Sequence, residues 1–195
     1  INQAIVYFKN EEGRYKEAGN IKNAVPYLHQ DPDSDEILGQ CEESGRDQGH
    51  ATLCVSLMGA FCQMAYSIGE DLFAYDNYRA VAMAEYVGKY NLIKDESFDK
   101  GTLVGDDFIY DSNSFPYTSY SNPSYTNATI STEQRGTKRP SWELFYGYCK
   151  EKGISSLYSE KWADQMRPDG GGGNYGPNSG GFDQLGFGTL MHYRE

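Results

Sequence analysis

Within eight residues, Glu43-Ser-Gly-Arg-Asp-Gln-Gly-His50, the chain sets an acid, a cation, a second acid, an amide and an imidazole directly before a long uncharged run. Continued as helix, the spacing i, i+3, i+4 and i+7 puts Glu43, Arg46, Asp47 and His50 on one face. An imidazole can move a proton near neutral pH, and an arginine can grip a carboxylate through two parallel N–H bonds. Alone, His50 reads as a core histidine. Beside these neighbours it is a candidate catalytic base in a site for a charged substrate.

Other motifs are less specific. Arg135, Lys138 and Arg139 precede the Trp142 segment and form either a solvated basic turn or a carboxylate-capturing patch. Asp31 to Glu42 partly fits a calcium loop, with Asp31, Asp33, Asp35 and Glu42 at ligand positions and Glu36 where the sharp turn wants glycine. A solvated acidic turn is the alternative. Gly171 to Gly176 formally matches GxGxxG, but no strand precedes it, which excludes the dinucleotide reading. Its glycines allow close backbone approach to a ligand. The four cysteines (41, 54, 62, 149) have no metal-ligand spacing. Cys54 and Cys62 lie about 12 Å apart along a helix, too far to bridge, and a Cys41–Cys149 pairing stays open. Asn127-Ala-Thr129 is a formal glycosylation sequon.

The elements that must position these groups are mostly helices. Ala51 to Gly69 holds no charge over 19 positions. Thr52, Ser56, Gln63 and Ser67 interrupt it, and the mean hydropathy of the chain is −0.68, so it reads as a buried core helix with no membrane partner. A second helix is expected from Leu72 to Lys89, forming an antiparallel αα-hairpin with the first. A third is expected from Pro140 or Ser141 to Lys150, stopped by Gly153. Further helices are expected over Ser159 to Met166, Asp183 to Tyr193, Ile1 to Lys9 and Tyr15 to Leu28. Strand-like alternation is scarce, so the fold class is all-α in a single domain over residues 1–195. Asn91 to Lys138 and Pro168 to Phe182 are long loops of the functional kind, rich in tyrosine and glycine respectively. Aromatic rings in polar loops suit the apolar faces of sugars. The net charge of −11 argues against nucleic acid. It is concentrated in Asp31–Asp47 (net −6) and Asp95–Asp111 (net −5), which leaves the rest of the chain balanced and able to offer a local cationic groove.

Four blocks together resemble the alginate-lyase-like polysaccharide lyases, closest to the toroidal alginate and glucuronan lyases of family 38. They are Glu43 to His50, Asp76-Asn-Tyr-Arg79 with Glu85 to Asn91, Arg139-Pro-Ser-Trp-Glu143, and Arg167 to Leu190. The resemblance implies an incomplete (α/α) toroid of antiparallel helical hairpins, a cleft for an anionic polysaccharide, and a secreted or periplasmic setting. Such domains are about twice this length. The chain therefore resembles their C-terminal half, with an N-terminal half as a missing partner, and its first residues read as a processed or truncated boundary. Tyr78 stands where the family more often has arginine.

Such lyases cleave uronate polymers by β-elimination. A cation or amide neutralises the carboxylate, a base takes the C5 proton, and an acid protonates the leaving O4. The resemblance then casts Arg46 and Arg139 as carboxylate binders, Gln48 as a neutral donor, and His50 as base. Tyr117 and Tyr120 are candidate acids, requiring a nearby cation to lower their pKa. Glu43 orients Arg46 or His50, and Arg135, Trp142, Asn174 and Tyr175 line the substrate. A toroidal hydrolase would instead pair Glu43 with Asp183 or Glu143. A non-catalytic glycan-binding module would bind without turnover.

Overall fold

The computed structural model describes residues 1–10, 20–94, 103–121, 126–167 and 188–194. The described chain is mostly helical, with two small antiparallel ladders. Helix α1 spans Asn2–Phe8 and α2 only Ile21–Ala24. Of the helix expected from Tyr15 to Leu28, the described part is helical only over Ile21–Ala24, and Tyr27 and Leu28 are strand. Asn20 caps α2 by accepting from Asn23 N at 2.9 Å. Pro26 then pushes the preceding Val25 out of helical geometry, to φ −131.

The chain continues as strand β1 (Tyr27–Gln30), which pairs with β2 (Ile37–Gln40) so that Tyr27 faces Gln40 and His29 faces Leu38. This hairpin corrects the all-α expectation. Its turn is made by the acidic stretch itself: the Asp31 carboxylate accepts from Asp33 N at 2.9 Å and from Ser34 Oγ at 2.7 Å, closing a local side-chain turn.

Helix α3 runs Gln48–Tyr66 and α4 Tyr75–Asn91, joined by a short connection as the αα-hairpin reading expects. Asp76, Asn77 and Tyr78 have positive φ, so the regular helix begins only at Arg79. From Ala80 to Asn91 every residue of α4 is buried. A helix buried all round must satisfy its polar side chains internally, and α4 sends each of three to a different neighbour. Glu85 accepts from Tyr158 N at 2.8 Å and Ser159 N at 2.9 Å, capping helix α6 (Leu157–Met166). Lys89 Nζ binds Asp31, and Asp33 at 2.6 Å, under the rings of Tyr110 and Tyr158. Asn91 reaches the start of α3.

Helix α5 (Trp142–Lys152) ends where expected, at Gly153 in a left-handed conformation (φ 66) that only glycine adopts without cost. Trp142 stacks on Trp162 of α6 at 5.2 Å, and Trp162 Nε1 donates to Gly88 O at 2.9 Å. A short ladder, β3 (Tyr120–Ser121) with β4 (Thr126–Asn127), lies in the long central loop. Helix α7 (Gly188–His192) packs its last carbonyl against Gly147 of α5. The expected helix over residues 183–187 lies outside the described residues. Among the described residues no helix is long and apolar enough to cross a membrane. All four cysteines are free, including Cys41 and Cys149.

Candidate functional site

The cluster read from residues 43–50 is assembled, though not as one helix. Glu42–Gly45 form a 3-10 turn, and Asp47 is extended (φ −165, ψ 161), which breaks the expected continuous helix immediately before α3. The break has a local cause. Asp47 is the N-cap of α3, its Oδ1 accepting from His50 N at 2.8 Å, and a cap residue cannot itself be helical. The other carboxylate oxygen lies 2.6 Å from His50 Nδ1. A carboxylate only accepts, so Nδ1 carries the hydrogen and neutral His50 holds its lone pair on Nε2. The imidazole is 41% exposed, and Arg46 beside it is 45% exposed, paired with Glu43 at 3.3 Å and Asp47 at 3.6 Å. A solvent-facing base with an oriented tautomer thus stands next to an accessible guanidinium.

The segment from 131 to 139 is pinned onto this turn. Ser131 N donates to Ser44 O at 2.9 Å and Gln48 N to Glu133 O at 2.8 Å. Gln48 Nε2 donates to Ser44 O and Ser131 O, both at 3.0 Å, while its Oε1 accepts from Asn91 Nδ2 at 2.9 Å. Asn91 Oδ1 in turn accepts from Gly136 N at 2.8 Å. Gln48 is 1% exposed with both amide ends occupied, so it is an internal bracket and not the substrate-facing donor expected from sequence. Gly49 lets the Gln134 side chain close over the turn, since a Cβ would stand 2.0 Å from Gln134 Oε1 and displace it. Arg139, 5% exposed, directs Nη2 to Gly49 O at 3.5 Å, behind the turn.

Tyr117 reaches the same turn from the central loop. Its hydroxyl donates to Asn127 O at 3.2 Å and lies over Gly45, where a Cβ would meet it at 2.3 Å. Burial first, and the neighbouring Tyr27 second, raise its pKa above the ordinary tyrosine value. The cation-lowered tyrosine expected from sequence is therefore absent at Tyr117, which keeps its proton and suits the role of acid, not base. Tyr120 sits in β3, edge-on to Tyr27 at 6.2 Å. Asn127 of the sequon has its Nδ2 buried, closed to a glycan in this conformation.

Two cavities lie along the central loop, and Tyr117 lines one of them. One, about 470 Å³, is lined by Tyr117, Phe115 and Ile130, the other, about 550 Å³, by Lys94, Asp111 and Arg135. Ser112, Asn113 and Thr132 line both, which makes them one groove. Arg135 is a wall of this groove and no free cation. Its guanidinium lies between the rings of Tyr90 (3.9 Å) and Phe108 (4.1 Å) and donates to Tyr90 O and Tyr110 O. Trp142, 1% exposed in the α5–α6 stack, is core and not a sugar platform. Glu143 is 3% exposed and paired with Arg167 at 3.1 Å, so it is no partner for Glu43 across a sugar. Asn174, Tyr175 and Asp183 lie outside the described residues.

The calcium reading of residues 31–42 meets a different arrangement. Asp31 and Asp33 face the Lys89 ammonium, and strand β2 separates them from Glu42. Burial raises the Asp31 pKa, but Lys89, Tyr158, the Asp33 N–H and Ser34 together outweigh it and hold the carboxyl below its ordinary value. Among the described residues no group of three or more His, Cys, Asp or Glu is placed to hold a metal.

Sequence reading missed the roles of Asn91 and Ser131, which arise only from contacts to Gln48 across 43 and 83 residues. It also missed His29, whose signal was the short alternation Tyr27-Leu-His-Gln30. Compared with known proteins, the chain matches no family model, no curated protein and no solved structure.

Proposed function

We propose that the protein is a polysaccharide lyase cleaving a uronate-containing polymer, alginate or glucuronan, by β-elimination. The observation that carries this reading is the exposed His50 imidazole, held by Asp47 at 2.6 Å with its lone pair on Nε2, next to the accessible Arg46. Arg46 binds the uronate carboxylate and so makes the C5 hydrogen more acidic. His50 Nε2 takes that proton, and Asp47 stabilises the imidazolium formed. Tyr117, with its pKa raised, gives its proton to the departing O4. The electron pair of the C5–H bond becomes the C4–C5 double bond as the C4–O4 bond breaks.

The finer architecture, an incomplete (α/α) toroid corresponding to the C-terminal half of alginate-lyase-like domains, belongs to the same reading. So does a secreted or periplasmic setting. The hydrolase alternative has lost Glu143 to its Arg167 pair. The test is ultraviolet absorbance during incubation with polymannuronate, polyguluronate and glucuronan, each separately. A rise from the unsaturated product is expected with one of them. A flat trace with retained binding would leave a glycan-binding module, and new reducing ends without absorbance would mean hydrolysis.

A further inference from the structure

His29 is the second imidazole near Tyr117, and the backbone fixes which of its nitrogens can meet a ligand. Gln40, directly across the hairpin face from Tyr27, is 1% exposed. Its Oε1 accepts from Thr118 N at 2.8 Å and its Nε2 donates to Thr118 O at 2.8 Å. A backbone N–H only donates and a backbone carbonyl only accepts, so this amide can stand in one orientation. The atom 3.0 Å from His29 Nε2 is therefore an oxygen, and Nε2 must carry the hydrogen. Neutral His29 then holds its lone pair on Nδ1, the opposite tautomer to His50.

The ring is also fixed in plane. It stacks on Tyr86 at 6.0 Å and 28°, and Tyr86 donates to Pro116 O at 2.9 Å, immediately before Tyr117. His29 is half-buried, and no described residue hydrogen-bonds Nδ1. Tyr27, two residues earlier on the same strand face, meets Tyr120 edge to face. A partly buried neutral acceptor stacked on the Tyr86 ring suits a sugar hydroxyl and repels a carboxylate.

Resting on the uronate-polymer reading above, we infer that His29 is a substrate-binding residue whose Nδ1 accepts a hydrogen bond from a ring hydroxyl of the sugar chain. It thereby selects the hydroxyl-bearing edge of a sugar, while Arg46 selects the carboxylate edge.

Two substitutions separate this role from a merely structural one. His29→Gln places an amide nitrogen where Nε2 stood, keeping the bond to Gln40 and losing the acceptor. His29→Asn places an amide oxygen where Nδ1 stood, keeping the acceptor and losing the bond to Gln40. Binding of the three polymers would be followed by titration calorimetry, with thermal melting alongside. The inference expects His29→Gln to lose affinity by roughly 3- to 10-fold with little change in melting. His29→Asn should keep more of the affinity while melting lower. The reverse order would reduce His29 to a strut of the hairpin and overturn the inference. So would nitrogen-15 NMR showing a protonated Nδ1 in the neutral ring, whatever the substrate. A wild-type protein that binds none of the polymers overturns it together with the substrate class. Binding without a rise in absorbance overturns elimination alone and leaves the two variants as the judge of His29.

Discussion

At the scale of single residues, the site depends on one carboxylate performing two tasks. Asp47 caps α3 with one oxygen and orients His50 with the other. Asp47→Asn keeps a good cap but removes the charge that stabilises an imidazolium. Under the proposed elimination, kcat should fall by about 10²- to 10⁴-fold with melting nearly unchanged. Steady-state kinetics and thermal melting on the same preparation check both halves of that statement. An unchanged kcat would remove His50 as the base. Tyr117 is a separate case, because its raised pKa makes it a donor that does not ionise in the working range. Tyr117→Phe should lower kcat by about 10²-fold while leaving KM within a few-fold. A large rise in KM at constant kcat would instead make Tyr117 a binding residue.

At the scale of elements, helix α4 is the organiser. Its buried Glu85, Lys89 and Asn91 each tie down a different flank, and Glu85 is the one that titrates in an accessible range. Burial pushes its pKa from the ordinary 4.5 up to about 7, against the opposing hydrogen bonds from the α6 terminus. Between those values the folded state keeps a proton that the unfolded chain has released. Stability therefore falls as pH rises through this window and is level above it. The total change is on the order of 3 kcal/mol. Asp31, whose pKa is lowered, acts with opposite sign and only at more acidic pH: its contribution is present above the ordinary 3.8 and fades below it. Glu85→Gln should flatten the dependence between about pH 5 and about pH 7.5, measured as melting temperature or urea midpoint. Equal slopes in variant and wild type would place the titrating group elsewhere.

At the scale of the whole molecule, the proposed function asks a protein of net charge −11 to bind a polyanion. Long-range repulsion then opposes the encounter, and only the local cations at the turn favour it. Raising ionic strength from about 10 mM to about 150 mM shortens the screening length from about 30 Å to about 8 Å. That change should relieve the repulsion and lower KM, the reverse of the behaviour of a basic enzyme on the same polymer. Initial rates across a salt series check the sign, and a KM that rises steadily with salt would mean that the Arg46 contact dominates the approach.

The sequence by itself determined the main helices and the candidate cluster at Glu43–His50. Helix α3 was legible as a long uncharged run, α5 because Pro140 and Gly153 bracket its apolar residues, and the Glu43–His50 cluster because its charges are neighbours along the chain, although the cap at Asp47 that breaks it was not. These are local properties, written within a few turns of each residue. Tertiary structure alone decided which of the candidate polar residues face solvent. Gln48 and Arg135 looked like substrate ligands, yet both are consumed by backbone carbonyls brought from distant segments. Trp142 looked like a sugar platform and became core, because Trp162 covers it. The β1–β2 hairpin was hidden for the same reason, since Lys89, far along the chain, supplies the charge that lets Asp31 at its turn be buried. Buried polar groups must find partners, and for these residues the partners lie many tens of positions away, where no spacing rule reaches them.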